Sequence, residues 1–234
     1  MKSEEFLCKQ NLLKKRLASA LKVYRVNHIF YSLQGEGRNT GRAAVFVRFA
    51  GCNLRCSFCD TEFDSFREMT AEEILNDIQA VAGGLSTDSH PLIVLTGGEP
   101  TLQADEPFID LLHQNGYEAA MESNGTRPAP RNLDWLTVSP KGEQNQWKVN
   151  YGERLPEEIK IVFDENTDPE RILSQVLSLT AKDSSTEPPL LFLQPCDTGD
   201  TARNAAIMHR CIEYIKHHPR WRLSLQTHKL IGIE

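Results

Sequence analysis

Short runs of apolar, β-prone residues recur along this chain with helical patterns between several of them, and that alternation restricts the fold more than any other feature. The runs fall at residues 43–49, 92–96, 117–122, 135–139, 159–163, 190–194 and 223–227. Most are nearly continuous in apolar character, as expected of parallel strands covered on both faces. Thr70-Ala71-Glu72-Glu73 reads as a capping box ahead of Ile74, Leu75, Ile78 and Val81 on one helical face. Phe108, Ile109, Leu111 and Leu112 mark a second helix that stops near Gly116. Asp168-Pro169 opens a third as N-cap and N1, with Ile172, Leu173, Val176 and Leu177 on its apolar side, and Ile207, Cys211, Ile212 and Ile215 mark a fourth. Strands alternating with helices imply parallel pairing through right-handed crossovers, in a doubly wound sheet or a barrel. Residues 140–146 show no helical period, so a complete barrel does not fit. The expected fold is α/β, a partial (β/α) barrel reduced in helix content. Residues 1–22 read as a peripheral N-terminal extension, with Leu12, Leu13, Leu17 and Leu21 forming a stripe, and residues 23–234 as one domain.

Parallel α/β folds build their sites beyond the carboxyl ends of the strands, and the unusual polar residues of this chain fall there. Gly97-Gly98 alone would read as a turn, but it is one of six polar strand ends expected to share one rim. After the first run come Cys52, Cys56 and Cys59, three thiols within eight residues. Three thiolates can hold three corners of a cubic 4Fe-4S cluster and leave the fourth iron open for chemistry. Zinc or free thiols are the alternative on spacing alone, although a zinc site usually closes with two separated ligand pairs and no second pair follows. A formal charge of −6 argues against a broad nucleic-acid surface and points to a small-molecule substrate. The chain contains no apolar run near the ~20 residues of a membrane helix and no secretory h-region at its start, so a cytoplasmic location is expected. Thiols stay reduced there, and Cys8, Cys196 and Cys211 read as free, Cys211 on an apolar helix face.

Cys52-x3-Cys56-x2-Cys59, with Phe58 before the last cysteine, resembles the signature of the radical S-adenosylmethionine superfamily, and Gly97-Gly98-Glu99-Pro100 resembles its second hallmark. Further markers are similar to the 7-carboxy-7-deazaguanine synthase family. These are Tyr31-Ser32-Leu33-Gln34-Gly35-Glu36-Gly37, Phe46-Val47-Arg48-Phe49-Ala50-Gly51-Cys52-Asn53-Leu54, Cys59-Asp60-Thr61, Ser139-Pro140-Lys141, Leu193-Gln194-Pro195 and Gln226-Thr227-His228-Lys229. They lie in order between residues 31 and 229, leaving out the leader and the loop after Lys141.

The resemblance implies a partial barrel of the radical S-adenosylmethionine type with a 4Fe-4S cluster on Cys52, Cys56 and Cys59. It implies a cofactor cradle of Phe58, Cys59, Asp60, Gly98, Glu99, Ser139, Pro140, Lys141, Gln194, Pro195, Cys196 and Asp197. The implied substrate is 6-carboxy-5,6,7,8-tetrahydropterin, contracted to 7-carboxy-7-deazaguanine with loss of ammonia in queuosine or another 7-deazapurine pathway. No side chain is expected to be catalytic in its own right, because cluster and cofactor carry the radical chemistry. Leu33, Gln34, Gly35, Glu36, Thr96 and His228 are the expected pterin contacts. Arg48, four residues before Cys52, suits the substrate carboxylate. Glu234, six residues after His228, is a further expected contact through its terminal carboxylate. The resemblance also implies Mg2+ at Thr61, a flavodoxin or ferredoxin as electron donor, and a homodimer. The nearest rival is a glycyl-radical-enzyme activase of the same superfamily; a zinc-binding interaction module is the rival from another class.

Overall fold

The computed structural model describes residues 22–56, 59, 65–83, 90–141, 150, 155–178 and 187–234. Its elements are β1 (Tyr24–Leu33), β2 (Ala43–Phe49), β3 (Arg67–Met69), α1 (Ala71–Val81), β4 (Leu92–Gly97), α2 (Glu106–Gln114), β5 (Ala119–Ser123), β6 (Trp135–Val138), β7 (Glu158–Phe163), α3 (Pro169–Leu177), β8 (Leu190–Pro195), α4 (Thr201–His217), β9 (Trp221–Leu223) and α5 (Thr227–Ile231). The strands form one sheet in the order β3-β1-β2-β4-β5-β6-β7-β8-β9. Pairing is parallel from β2 across to β9, whereas β1 runs antiparallel to both β2 and β3.

The parallel strands from β2 to β8 and the four longer helices lie where the alternation predicts them. Local chemistry sets their ends. The capping box of α1 is complete, with Glu73 N–H donating to Thr70 Oγ1 at 3.2 Å and Thr70 N–H to Glu73 Oε2 at 2.7 Å. Such a cap contributes about 1 kcal/mol. Asp168 caps α3 from the predicted position. Asp105 caps α2 by accepting from Phe108 N–H at 3.2 Å, and the same carboxylate accepts from Tyr24 Oη at 3.0 Å and Lys22 Nζ at 2.8 Å. That fastens β1 to the helix layer, where Tyr24, Phe49 and Phe108 meet in the core.

Four elements differ from the expectation: β1, β3 and α5 have no counterpart in it, and β9 is shifted. β1 alternates buried and exposed residues along much of its length, with Arg25, Asn27 and Ser32 interrupting it, so it lacks the continuous apolar run of a central parallel strand. The expected strand at 223–227 is displaced: β9 ends at Leu223, and Thr227 opens α5 behind Gln226. The expected N-terminal stripe lies outside the described residues, as does most of the segment after Lys141.

The sheet is open yet strongly curled. β1 and β9 lie far apart in the strand order, but the residues following each strand bond to one another. Gly37 N–H donates to Ser224 Oγ at 3.0 Å, and Gly35 O accepts from Thr227 N–H at 3.1 Å and Thr227 Oγ1 at 2.9 Å. The turn at Gly37–Asn39 also bonds to β7, through Arg38 N–H on Glu158 Oε2 at 3.0 Å. A loop instead of a ladder therefore bridges the gap, which is how a partial barrel encloses a cavity. Among the described residues no helix is long and apolar enough to cross a membrane.

Candidate active site

The carboxyl ends of the strands surround a cavity of about 520 Å³. On one side is the cysteine loop, whose start is packed against the Gly97-Gly98 turn. Gly98 N–H donates to Phe49 O at 2.9 Å and Glu99 N–H to Gly51 O at 2.9 Å. A Cβ on Gly98 would come within 2.0 Å of Gly51 O, so only glycine permits this approach. Asn53 ties the same loop to the end of β5, donating to Thr126 Oγ1 at 2.8 Å and accepting from Asn124 Nδ2 at 3.0 Å.

Cys52, Cys56 and Cys59 all reach the cavity wall. Cys59 N–H donates to Cys56 O at 3.3 Å, and Cys52 Sγ accepts from Leu54 N–H at 3.4 Å. Burial raises the Cys52 and Cys56 thiols above the usual thiol range, and at Cys56 the Lys141 ammonium works against it. Cluster binding would release those protons, since the thiolate is the ligand. Among the described residues no three His, Cys, Asp or Glu side chains converge on a single metal ion, Cys52, Cys56 and Cys59 included, so the preference for a cluster over zinc rests on the donor set and the cavity beside it. Three soft donors on one loop, two half-buried and one exposed, beside a cavity with room for an organic ligand, fit a cluster with an open corner. Cys196 lines the cavity from the end of β8, and Cys211 lies in the core, its thiol pushed up to about 12 by burial.

Glu99 is fully buried and is not among the residues that line the cavity. Its Oε1 accepts from Thr101 N–H at 3.1 Å, Thr101 Oγ1 at 2.6 Å and Ser123 Oγ at 2.8 Å, and its Oε2 from Asn124 N–H at 2.8 Å. Three of the donors bear on Oε1 and one on Oε2, so one acceptor site on Oε2 is not taken by these bonds. In this arrangement Glu99 staples the Gly97-Gly98 turn to the end of β5.

The opposite side is built around Lys160, in the middle of β7 and only 2% exposed. Its Nζ donates to Glu36 Oε2 and, at 2.8 Å, to Glu122 Oε2. Gln226 Nε2 donates to Glu36 Oε1 at 3.1 Å, and Gln34 Nε2 to Glu122 Oε1 at 2.8 Å. Burial by itself would raise the Glu36 carboxyl, but the Lys160 ammonium overrides it and holds the group down at about 2. Burial would likewise lower Lys160, and the two carboxylates reverse that, so it stays charged. Lys141 is lowered by burial and then by Lys160. Behind the Gly37 turn, burial pushes Glu158 up to about 7.

Of the sequence-predicted contacts, Leu33, Gln34, Gly35, Glu36, Arg48, Thr96, His228 and Glu234 all line this cavity, as do Gly98, Ser139, Lys141, Gln194, Pro195, Cys196 and Asp197. Pro140 and Glu99 do not line it, and Phe58, Asp60 and Thr61 lie outside the described residues. Arg48 stacks its guanidinium over Phe30, 4.8 Å from the ring centroid, and Phe30 in turn stacks on Phe46 at 4.9 Å. Glu234 Oε1 lies 3.0 Å from His28 Nδ1, and the Glu234 main-chain oxygen accepts from Ser32 Oγ at 2.7 Å. Lys160, Phe30 and Phe46 were not anticipated from sequence. Lys160 carried a signal, since it is a lone charge inside an apolar strand and must find a partner when buried.

Fold and site together define a radical S-adenosylmethionine protein: residues 46–141 match the model of the Radical SAM superfamily, and membership implies a 4Fe-4S cluster and S-adenosylmethionine. The 7-carboxy-7-deazaguanine synthase of Bacteroides thetaiotaomicron is 42% identical over 89% of this chain and 98% of its own length. That of Bradyrhizobium diazoefficiens is 40% identical over 90% of this chain and 99% of its own. The crystal structure of QueE from Escherichia coli superimposes with a TM-score of 0.70 at 30% identity, covering 87% of this chain and 93% of that one. The chain belongs to the 7-carboxy-7-deazaguanine synthase family. These likenesses do not favour the activase or the zinc-module alternatives.

Proposed function

We propose that the protein converts 6-carboxy-5,6,7,8-tetrahydropterin to 7-carboxy-7-deazaguanine and ammonia, as a radical S-adenosylmethionine carbon–nitrogen lyase of queuosine or 7-deazapurine biosynthesis. The observation that carries this reading is the convergence on one cavity of the three-thiol loop, the Arg48 guanidinium and the Gln34–Glu36 corner. When bound, the cluster and S-adenosylmethionine supply the hydrogen-abstracting radical. The chain's own residues bind, aim and exclude water. Arg48 offers two donors to the substrate carboxylate, held in place by its stack on Phe30. Glu36 and Glu122 present carboxylate oxygens to the amino and ring N–H groups of the pterin, and Thr96 adds a hydroxyl. Ser139, Lys141, Gln194 and Asp197 are left to the cofactor side. Mg2+ near Thr61, a flavodoxin or ferredoxin as the low-potential donor, a homodimer and a cytoplasmic location belong to the same reading.

The test is anaerobic reconstitution with iron and sulfide, then S-adenosylmethionine, magnesium, dithionite and the tetrahydropterin, followed by mass spectrometry. Product formation that is lost in Cys56→Ala is expected. Cleavage of S-adenosylmethionine without any deazaguanine would overturn the substrate.

A further inference from the structure

Lys160 has no part in the binding roles above, although it is the most buried charge on the cavity wall. Its ammonium bridges Glu36, from the loop after β1, and Glu122, near the end of β5. Each carboxylate has its other oxygen held by an amide, Gln226 on Glu36 and Gln34 on Glu122. A carboxylate offers about four lone-pair sites. Lysine and amide fill one on each oxygen, and the remaining ones are available to a ligand in the cavity. Without the lysine two carboxylates would share a buried site, where mutual repulsion and desolvation would lead one of them to take up a proton. That proton would turn an acceptor into a donor. The donor edge of a pterin, an exocyclic amine beside a ring N–H, needs acceptors in fixed directions.

We infer that Lys160 is a positioning residue that orients Glu36 and Glu122 as a pair of hydrogen-bond acceptors for the donor edge of the pterin. The inference rests on the pterin reading given above. Other charges face the triad as well: Lys141 from the end of β6 and Glu158 two residues earlier on β7. Both respond to the Lys160 charge, and Glu158 titrates near 7, so the lysine variants are compared in a Glu158→Gln background.

The experiment is fluorescence titration of 6-carboxypterin, the oxidised and stable analogue, into the cluster-loaded enzyme between about pH 6 and pH 8.5, a range bracketing neutral titrations. Lys160→Met should weaken binding by about 10–150-fold, the range for losing charge-assisted acceptors. It should also make affinity rise with pH more steeply than in the same background carrying Lys160, because Glu36 would then ionise only at higher pH; the ligand's own ring N–H titrates alike in every protein. Lys160→Arg should recover most of the loss, and the change that S-adenosylmethionine causes in the cluster's spectrum should be the same in every variant. If Lys160→Met fails to fold or load its cluster, Lys160→Met/Glu122→Gln compared with Glu122→Gln alone carries the same test with one buried charge fewer. Unchanged affinity and an unchanged pH profile in the lysine variant would overturn the inference. A wild type that does not bind 6-carboxypterin would instead remove the pterin reading, and the inference with it.

Discussion

Replacing Glu99 by glutamine tests whether the second hallmark motif acts as a structural staple. Glu99 has no exposed surface and accepts four hydrogen bonds, three on Oε1 and one on Oε2. A glutamine of the same shape can keep its carbonyl on the Thr101 and Ser123 donors, but its NH2 then faces Asn124 N–H, donor against donor. One charge-assisted bond is lost and a buried N–H is left unpaired, a cost of about 1–3 kcal/mol. For a chain of this size each kcal/mol lowers Tm by about 2–4 °C, so the variant should melt roughly 2–12 °C below wild type. The melt is best followed by circular dichroism on cluster-free protein, where no cofactor contributes. Glu99→Ala, which abandons all four donors, should fall further. If Glu99 served mainly to contact the cofactor's methionyl amine, Glu99→Gln would melt like the wild type and lose only S-adenosylmethionine affinity. That result would refute the staple.

Three other perturbations follow from the same geometry. Burial raises Glu158 from 4.5 to about 7, so the folded state binds its proton more tightly than the unfolded chain does; this contribution is full below about 4.5 and is lost as pH climbs through 7. Thermal melts between pH 5 and 8 should show a decline on the order of 2–3 kcal/mol from this residue, flattened in Glu158→Gln. Gly35→Ala would bring a Cβ within 2.2 Å of His228 Nδ1 and 3.0 Å of its backbone nitrogen, so it should push apart the loop that closes the barrel and weaken 6-carboxypterin binding in the same titration. Arg48→Gln should raise KM for the tetrahydropterin by about 10–150-fold while leaving the cluster's absorbance unchanged, since it removes a two-point charged contact from the substrate alone.

The central strands were readable because each is buried on both faces and so is written as an unbroken apolar run, and the helices because their caps are spelled out, as at Thr70–Glu73 and Asp168–Pro169. β1 was not, because half of it faces away from the core and its polar residues break the run. The chemistry at the strand ends was readable for a related reason: parallel topology sends every such end to one rim, so the order of elements already gathers Cys52, Arg48, Thr96, Ser139 and Gln194. What local pattern could not convey is which way a side chain turns once it arrives. Glu99 sits at the expected place in its motif and spends its carboxylate on the backbone and hydroxyls of neighbouring segments. Lys160 looks like a flaw in an apolar strand until its partners appear, one 124 and the other 38 residues away in sequence. The same long-range bonds explain why an open sheet can hold a closed cavity. Glu36 and Gly35 are at once cavity wall and the seam that joins the segment after β1 to the segment after β9. In this fold the residues that would recognise the substrate also close the barrel, so occupancy of the cavity and closure of the seam should stabilise each other.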